Sequence, residues 1–189
     1  MNTFAKCACA LAVAACFTGI AQAAPIVQDT SSGSLQILAH SPMGQSFTAQ
    51  DSGLNSFGLY FLTYNAHSGY SPLTVTIYDG AGFGGTVLGY TVINPVAGSN
   101  GWFDASFNIA TTANQIYTAG ISTGTAYWGA NIDWAGNPYA GGTAFYHGAE
   151  QSAADFRFRV NAVPEPETYA MLLAGLGLMG MVARRRKQG

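Results

Sequence analysis

The chain has 189 residues, of which 49% are hydrophobic and only 8% are charged, and its formal net charge is −2. Between its two apolar ends, residues 24–162 contain two arginines, seven acidic residues and no lysine, which gives this part a net charge of −5. A lysine-free acidic surface repels phosphate groups, which excludes nucleic acid as a partner, and a segment of this length is sufficient for one domain with an apolar core.

The first 23 residues have the pattern of a secretory signal peptide. Lys6 supplies the positive charge, an apolar stretch runs from Cys7 to Ile20, and Ala21-Gln22-Ala23 forms a cleavage pattern of small residues at alternate positions. We therefore predict a short signal helix in residues 1–23. Secretion machinery and signal peptidase would recognise it, with cleavage between Ala23 and Ala24.

A lipoprotein signal is the alternative for the same segment. Val13-Ala14-Ala15-Cys16 matches a lipobox, in which Cys16 would become a lipidated N-terminus, although the bulky Phe17 follows directly. All three cysteines of the chain lie within the first 23 residues. Cleavage after Ala23 therefore leaves a mature chain whose function uses neither a disulfide nor a thiolate.

Residues 24–162 show the period-two alternation of half-buried strands and almost no helix signal. In Asp155–Val160, for example, two phenylalanines and a valine alternate with Arg157 and Arg159. Clusters of glycine, asparagine, serine or proline separate such segments. The pattern predicts an all-β domain, a β-sandwich or jelly roll of roughly nine short antiparallel strands. The segments with strand signals are 34–38, 44–49, 54–62, 73–78, 86–93, 102–109, 115–122, 127–132, 143–146 and 155–160.

Several of these segments are similar to the jelly-roll modules found in exported bacterial proteins and beside glycosidase domains. The similar segments are Gly44–Thr48, Leu73–Tyr78 with Gly84–Leu88, Gln115–Ile121 and Asp155–Val160. The resemblance implies a jelly-roll fold for residues 24–162. It transfers no active site, because each segment contains what any core strand or glycine turn would contain.

No local motif for catalysis or metal binding stands out in the domain. Its acidic residues are scattered, and its serines lack a Gly-x-Ser-x-Gly nucleophile elbow. The three histidines, His40, His67 and His147, are far apart and lack metal-type spacing. A calcium ion near Asp79 or Asp155 suits the composition but has no ligand pattern. We predict a non-enzymatic domain with no catalytic residue, cofactor or metal.

The aromatic-rich segment 127–139 is the strongest candidate for a binding surface. Flat rings beside amide and carboxyl groups suit the C–H faces and hydroxyl groups of sugars. We therefore predict Trp128, Trp134 and Tyr139 as candidate carbohydrate-binding residues. The alternative places Trp128 in the core and Trp134 over a loop.

The last 27 residues, 163–189, combine three features. First, two prolines with a fixed φ angle hold Val163 to Glu167 extended and accessible to the active site of another protein. The motif in this segment consists of Val163, Pro164, Glu165 and Pro166. Next, the uncharged run 168–183 would form a helix of roughly 24 Å, somewhat short of a hydrocarbon core of roughly 30 Å. Finally, the basic residues that follow keep the C-terminus cytoplasmic and the domain outside. These basic residues are Arg184, Arg185, Arg186 and Lys187.

In this order, the three features resemble the PEP-CTERM sorting signal of exopolysaccharide-producing Gram-negative bacteria. The resemblance covers residues 163–187. It implies that an exosortase in the inner membrane recognises Pro-Glu-Pro. The exported protein would first be anchored there by a C-terminal transmembrane helix, facing the periplasm, and would then pass to the cell surface or extracellular matrix. The alternative is a plain single-pass anchor that is never processed.

The sequence thus predicts three parts: a signal peptide in residues 1–23, a β-sandwich in 24–162 and a sorting signal in 163–189. We expect an exported, non-enzymatic surface or matrix protein that associates with exopolysaccharide and biofilm. The sequence also allows two alternatives. One is a carbohydrate-binding module with a defined glycan ligand, and the other is a small glycan hydrolase.

Overall fold

A computed structural model describes residues 25–65, 71–96, 98–162 and 174–180. Residues Ala23–Val163 make up one compact unit. The described part of this unit consists mainly of strands. They are β1 (Ile26–Gln28), β2 (Gly33–Gln36), β3 (Met43–Thr48), β4 (Gly53–Thr63), β5 (Leu73–Asp79), β6 (Val87–Ile93), β7 (Gly101–Ala110), β8 (Ile116–Thr123), β9 (Trp128–Asp133), β10 (Ala144–Tyr146), β11 (Ala149–Gln151), β12 (Asp155–Phe156) and β13 (Phe158–Ala162).

These strands form two antiparallel sheets, which confirms the all-β prediction. In the first sheet the order is β1-β13-β4-β9-β12, with β7 on the other edge of β4 and β2 paired to β9. The order in the second sheet is β11-β10-β3-β8-β5-β6. The long strand β4 therefore organises the first sheet, because it pairs with β7, β13 and β9.

A core rich in phenylalanine joins the two sheets. Phe57 of β4 packs against Phe47 of the second sheet at a ring-centroid distance of 5.7 Å, and stacks on Phe158 of its own sheet at 5.8 Å. All three side chains are at most 1% exposed. Full burial of one such side chain contributes about 1.5–3 kcal/mol, so this aromatic stack is a main source of cohesion between the sheets.

The segment predicted as one strand over 155–160 is divided in two at Arg157. The N–H of Arg157 donates to the carbonyl of Asn131 on β9 (2.9 Å), while its own carbonyl accepts from the N–H of Tyr60 on β4 (3.0 Å). Arg157 therefore lies where the segment changes its partner strand, because β12 pairs with β9 and β13 pairs with β4. The predicted alternation is confirmed, because Phe156 and Phe158 are fully buried.

Each predicted strand segment overlaps a strand of the structure, but two short strands were missed. They are β1, which pairs with β13, and β11, which pairs with β10. Each has only three residues. An alternation of period two cannot be recognised reliably over so short a length.

Several predictions fall on residues outside the described part of the chain. These are the signal helix, the cleavage site at Ala21, Ala23 and Ala24, the motif Val163–Pro166 and the basic residues Arg184–Lys187. Of the predicted transmembrane run, the structure describes residues 174–180, which are helical. Among the described residues, no helix has the length and apolar character needed to cross a membrane.

Candidate functional site

The outer face of the first sheet carries a cluster that we call the arginine ladder: Tyr60, Trp102, Arg157 and Arg159 with Asp29 and Asp104. Tyr60 and Trp102 are partners across β4 and β7, and their rings meet edge to face at 5.8 Å. In the next row, Gly58 lies between Arg159 and Asp104. Arg159 and Asp104 form an ion pair across Gly58. A Cβ at Gly58 would come within 2.1 Å of the Asp104 carboxylate, so a residue without a side chain is needed at this position.

Stacking and ion pairing hold both arginines of the ladder in place. The Arg157 guanidinium lies 4.1 Å from the Tyr60 ring centroid, and its Nη2 is 2.6 Å from the Asp29 carboxylate. The Arg159 guanidinium lies 4.8 Å from the Trp102 ring centroid and forms an ion pair with Asp104. These are the two cations of residues 24–162, so the ladder is a neutral, partly exposed surface on an acidic domain.

Trp128 lies in the core, which corrects its prediction as a sugar-binding residue. It has no exposed surface, and its indole N–H donates to the carbonyl of Ser71 at 2.8 Å. Its ring also contacts Tyr127 edge to face at 4.7 Å. No face of the indole is therefore open to a ligand, and the alternative assignment to the core describes its position.

Trp134 and Tyr139 occupy two different environments. Trp134 is 43% exposed and lies over Gly33, where a Cβ would come within 2.2 Å of its ring. Tyr139 is half-buried, with its ring against Phe158 at 5.1 Å and its hydroxyl accepting from the Thr48 N–H at 3.2 Å. Burial raises the pKa of the Tyr139 hydroxyl. Only Trp134 of the three predicted residues offers a large exposed ring.

The loop that contains Tyr139 is fixed by a buried carboxylate. Asp155 has no exposed surface; it accepts from the Gln45 side-chain amide (2.7 Å) and from the Tyr139 N–H (2.9 Å). Gln45 in turn accepts from the Phe156 N–H at 2.8 Å. Burial raises the pKa of Asp155, and these hydrogen bonds oppose the rise. The network ties β12 to β3 of the second sheet, which is a structural role.

Asp133 is the cross-strand partner of Asp155 but lies in a different setting. Hydrogen bonds lower its pKa, first from the Thr30 hydroxyl and then from the Ala135 N–H, which lies at 2.9 Å. Among the described residues, no group of three or more histidine, cysteine or acidic side chains has the arrangement of a metal site. Asp79, the other residue considered for calcium, is exposed.

A shallow groove of about 350 Å³ runs between the edge strands β6 and β7, and no sequence pattern indicated it. Tyr90 on its rim is 70% exposed, and the Thr91 hydroxyl donates across the groove to the Ser106 carbonyl at 2.7 Å. The lining residues are Leu88, Gly89, Tyr90, Thr91, Ser106, Phe107, Asn108 and Ile109. None of these lining residues is an acid or a histidine.

Comparison with known proteins identifies the C-terminal segment. The family described as the PEP-CTERM protein-sorting motif matches residues 162–187. A search of curated proteins found no match.

Two solved structures with a detectable likeness come from infectious bursal disease virus. The first is the T13 viral particle (17% identity, TM-score 0.36), with 76% of this chain and 40% of that chain covered. The second is the VP2 subviral particle (16% identity, TM-score 0.33), with 88% and 50% covered. The chain thus spans half or less of these viral chains, and likenesses this weak carry no argument about function.

Proposed function

We propose that this chain is an exported, non-enzymatic protein whose β-sandwich is delivered by an exosortase to the cell surface or extracellular matrix, where it associates with exopolysaccharide. The observation that carries the proposal is the PEP-CTERM motif at residues 162–187, which implies an exported protein sorted by exosortase. Exopolysaccharide, biofilm and the matrix destination are our extension of that motif.

Before processing, the apolar run 168–183 would hold the protein in the inner membrane as a transmembrane helix with its domain facing the periplasm. Arg184–Lys187 support this orientation, because basic residues next to a span remain cytoplasmic. The span is short, roughly 24 Å against a core of roughly 30 Å, which favours a transient anchor over a permanent one. Signal peptidase would act at the other end, between Ala23 and Ala24.

The domain's composition and architecture support a location within a hydrated polymer. With a net charge of −5 and no lysine, residues 24–162 have little attraction for nucleic acid and suit a neutral polysaccharide as neighbour. For the fold we propose the jelly-roll variant of the sandwich. Its support is that most connections cross between the sheets, for example from β3 to β4, from β4 to β5 and from β6 to β7.

The state of four of the seven carboxylates in residues 24–162 supports a non-enzymatic role. A glycosidase needs two carboxyl groups that face a shared space about 5–9.5 Å apart. Asp29 and Asp104 are engaged with the two arginines of the ladder. Asp155 is inaccessible, and its cross-strand partner Asp133 is only 6% exposed. These four acids of the described domain are therefore committed to structural contacts.

The experiment that tests the proposal changes Pro164, Glu165 and Pro166 to alanine and fractionates the cells. We expect the variant to remain in the inner membrane at full length, because the apolar run and the basic residues still hold it there. The wild-type chain should leave the membrane without its C-terminal segment. Pro72→Ala, at an exposed proline of the domain, is the matched control and should behave as the wild type.

A second variant separates recognition from anchoring. Deletion of Arg184–Lys187 removes the charges that stop transfer across the inner membrane. A span this short should then be translocated completely, which would release an uncleaved protein. If the wild type and the alanine variant both remain at full length in the inner membrane, the tail is a plain anchor and the proposal is wrong.

A carbohydrate-binding module with a defined glycan is the second candidate function, and the exposed ring of Trp134 is the observation that favours it. An exposed indole can stack on the C–H face of a sugar. A glycan array would show binding that is lost in Trp134→Ala and retained in Trp134→Phe, which keeps an aromatic ring. Binding unaffected by Trp134→Ala would remove this candidate site.

A further inference from the structure

Two of the three histidines of the chain meet in space although 106 residues separate them in sequence. The imidazole rings of His40 and His147 have a centroid separation of 5.0 Å and an interplanar angle of 43°. His147 is exposed and His40 is half-buried, so solvent reaches the pair. Nothing in the sorting function uses these residues.

The orientation of the His40 ring is fixed by the turn that follows β2. Its Nδ1 lies 2.9 Å from the backbone carbonyl of Gln36. A carbonyl only accepts hydrogen bonds, so Nδ1 carries the proton and donates. The neutral ring then presents its lone pair at Nε2, as histidine ligands of metal ions do when a carbonyl holds their other nitrogen.

His147 is the first residue of the two-residue turn between β10 and β11. Its φ is 53°, and that of Gly148 is 73°. Two positive φ values in succession are typical of a type I′ turn, in which Asn-Gly is the preferred pair. Histidine thus occupies a position at which asparagine would better suit the backbone.

Backbone hydrogen bonds tie the turn to the His40 segment. The N–H of His147 donates to the His40 carbonyl at 2.8 Å, and that of Gly148 donates to the Pro42 carbonyl at 3.0 Å. The Tyr146 ring contacts both imidazoles edge to face, at 6.3 Å from His40 and 5.9 Å from His147. The two rings are therefore held together before any ligand binds.

The ring separation matches that of two imidazoles on one metal ion. With metal–nitrogen bonds of about 2.0–2.1 Å, a ring centroid lies about 3.2 Å from the ion, and two rings at a tetrahedral angle have centroids about 5.2 Å apart. The observed 5.0 Å agrees with this value. The acidic domain, whose two arginines are both engaged in ion pairs, also favours the approach of a cation.

We propose that His40 and His147 bind a divalent first-row transition-metal ion, with Zn²⁺ and Cu²⁺ as the ions best suited to imidazole nitrogen. No group of three or more histidine, cysteine or acidic side chains in the described part of the chain fits a metal ion, so the protein supplies two ligands. Solvent takes the remaining positions, which makes the site open and exchangeable. This inference does not depend on the sorting tail.

Isothermal titration of Zn²⁺ into the full chain tests the proposal. The protein is purified in detergent without a histidine tag, and Cys7, Cys9 and Cys16 are replaced by serine in every sample. We expect one saturable site per chain. His147→Asn keeps the favoured turn pair, and His40→Asn keeps a donor for the Gln36 carbonyl, so each removes a ligand while it preserves the local backbone.

Each variant should lower the affinity at least about tenfold, whereas the control His67→Asn should leave it unchanged. Circular dichroism checks that the variants are folded, and if His40→Asn is not, His147→Asn alone decides. As an independent measurement, electron paramagnetic resonance of the Cu²⁺-loaded wild type should show coupling to two imidazole nitrogens. The proposal fails if the wild type has no saturable site, if both ligand variants bind normally, or if His67→Asn abolishes binding.

Discussion

The C-terminal 27 residues and the β-sandwich domain differ in how their residues act. In the tail, four basic residues and the motif Val163–Pro166 flank an uncharged run, and each of these parts is contiguous in sequence. In the domain, contacts join residues that are far apart in sequence, such as Phe57 with Phe158 and Gln45 with Asp155. We therefore expect that changes in the tail alter the location of the protein without altering its stability, and that changes in the domain alter its stability without altering its location.

The largest expected effect is that the tail alone directs another protein out of the membrane. If residues 162–189 carry the complete signal, fusing them to an unrelated exported domain that has its own signal peptide should cause that domain to be cleaved and released. Western blotting of membrane and extracellular fractions measures the result. A fusion that stays intact in the membrane, in cells that process the natural chain, would show that the β-sandwich contributes to recognition.

Loss of a core ring should have the largest effect on stability. Phe57→Ala removes the ring that packs between Phe47 and Phe158, and phenylalanine-to-alanine changes in cores cost about 3–5 kcal/mol. Urea unfolding followed by tryptophan fluorescence measures the change. Val27→Ala, at a side chain that is 55% exposed, is the control and should change the free energy of unfolding by about 0.5 kcal/mol or less.

Asp155→Asn should have an intermediate effect. A carboxylate accepts from both Gln45 and the Tyr139 N–H, whereas an asparagine turns its NH₂ group toward one of these donors. A buried donor left without an acceptor costs about 1–3 kcal/mol. Asp79→Asn, at an exposed carboxylate, should leave the free energy of unfolding unchanged.

The same variant should also change the dependence of stability on pH. The pKa of Asp155 is raised in the folded state. The contribution of this side chain to the free energy of unfolding is therefore fully present below the ordinary aspartate pKa, and it is lost as pH rises through the raised pKa. The lowered pKa of Asp133 acts in the opposite sense, with stability lost as pH falls. Urea midpoints across pH should show that Asp155→Asn removes the first dependence and keeps the second. An unchanged profile would contradict the assignment.

The smallest expected effect belongs to the arginine ladder. Arg159→Lys keeps the charge beside Asp104 but loses the planar fork and its stacking on Trp102. Partly exposed pairs of this kind contribute about 1 kcal/mol or less. Thermal unfolding should therefore show a small decrease in midpoint. A loss as large as that of Phe57→Ala would mean that the ladder, and not the core, holds the first sheet together.

Sequence patterns were sufficient for the fold class and for most strands, because alternation over five or more residues reflects burial directly. The division of 155–160 at Arg157 was not predictable, since it depends on β9 and β4 competing for neighbouring residues of one segment. The three-residue strands β1 and β11 owe their existence to their partners more than to their own sequences. Pairing with strands that are distant in sequence determines where these short strands begin and end, and a local residue pattern contains no information about that pairing.

Spatial sites on the domain were harder to predict than the sorting motif in the tail. Trp128 and Trp134 lie in similar local sequence, yet one is fully buried and the other is 43% exposed. His40 and His147 meet only because the turn after β2 is hydrogen-bonded to the β10–β11 turn. The PEP-CTERM motif needs no such folding to be recognised, because its parts are contiguous. A linear signal can therefore be identified where a spatial site cannot.

The most direct test of sorted export is the intact mass of the wild-type protein recovered outside the cell. We predict a chain that begins at Ala24 and lacks roughly the last 20 residues, the length of the span with its basic flank. A released or membrane-bound protein whose mass extends to Gly189 would contradict it. In that case the tail would be an anchor, and the Pro-Glu-Pro motif would have no processing role in this protein.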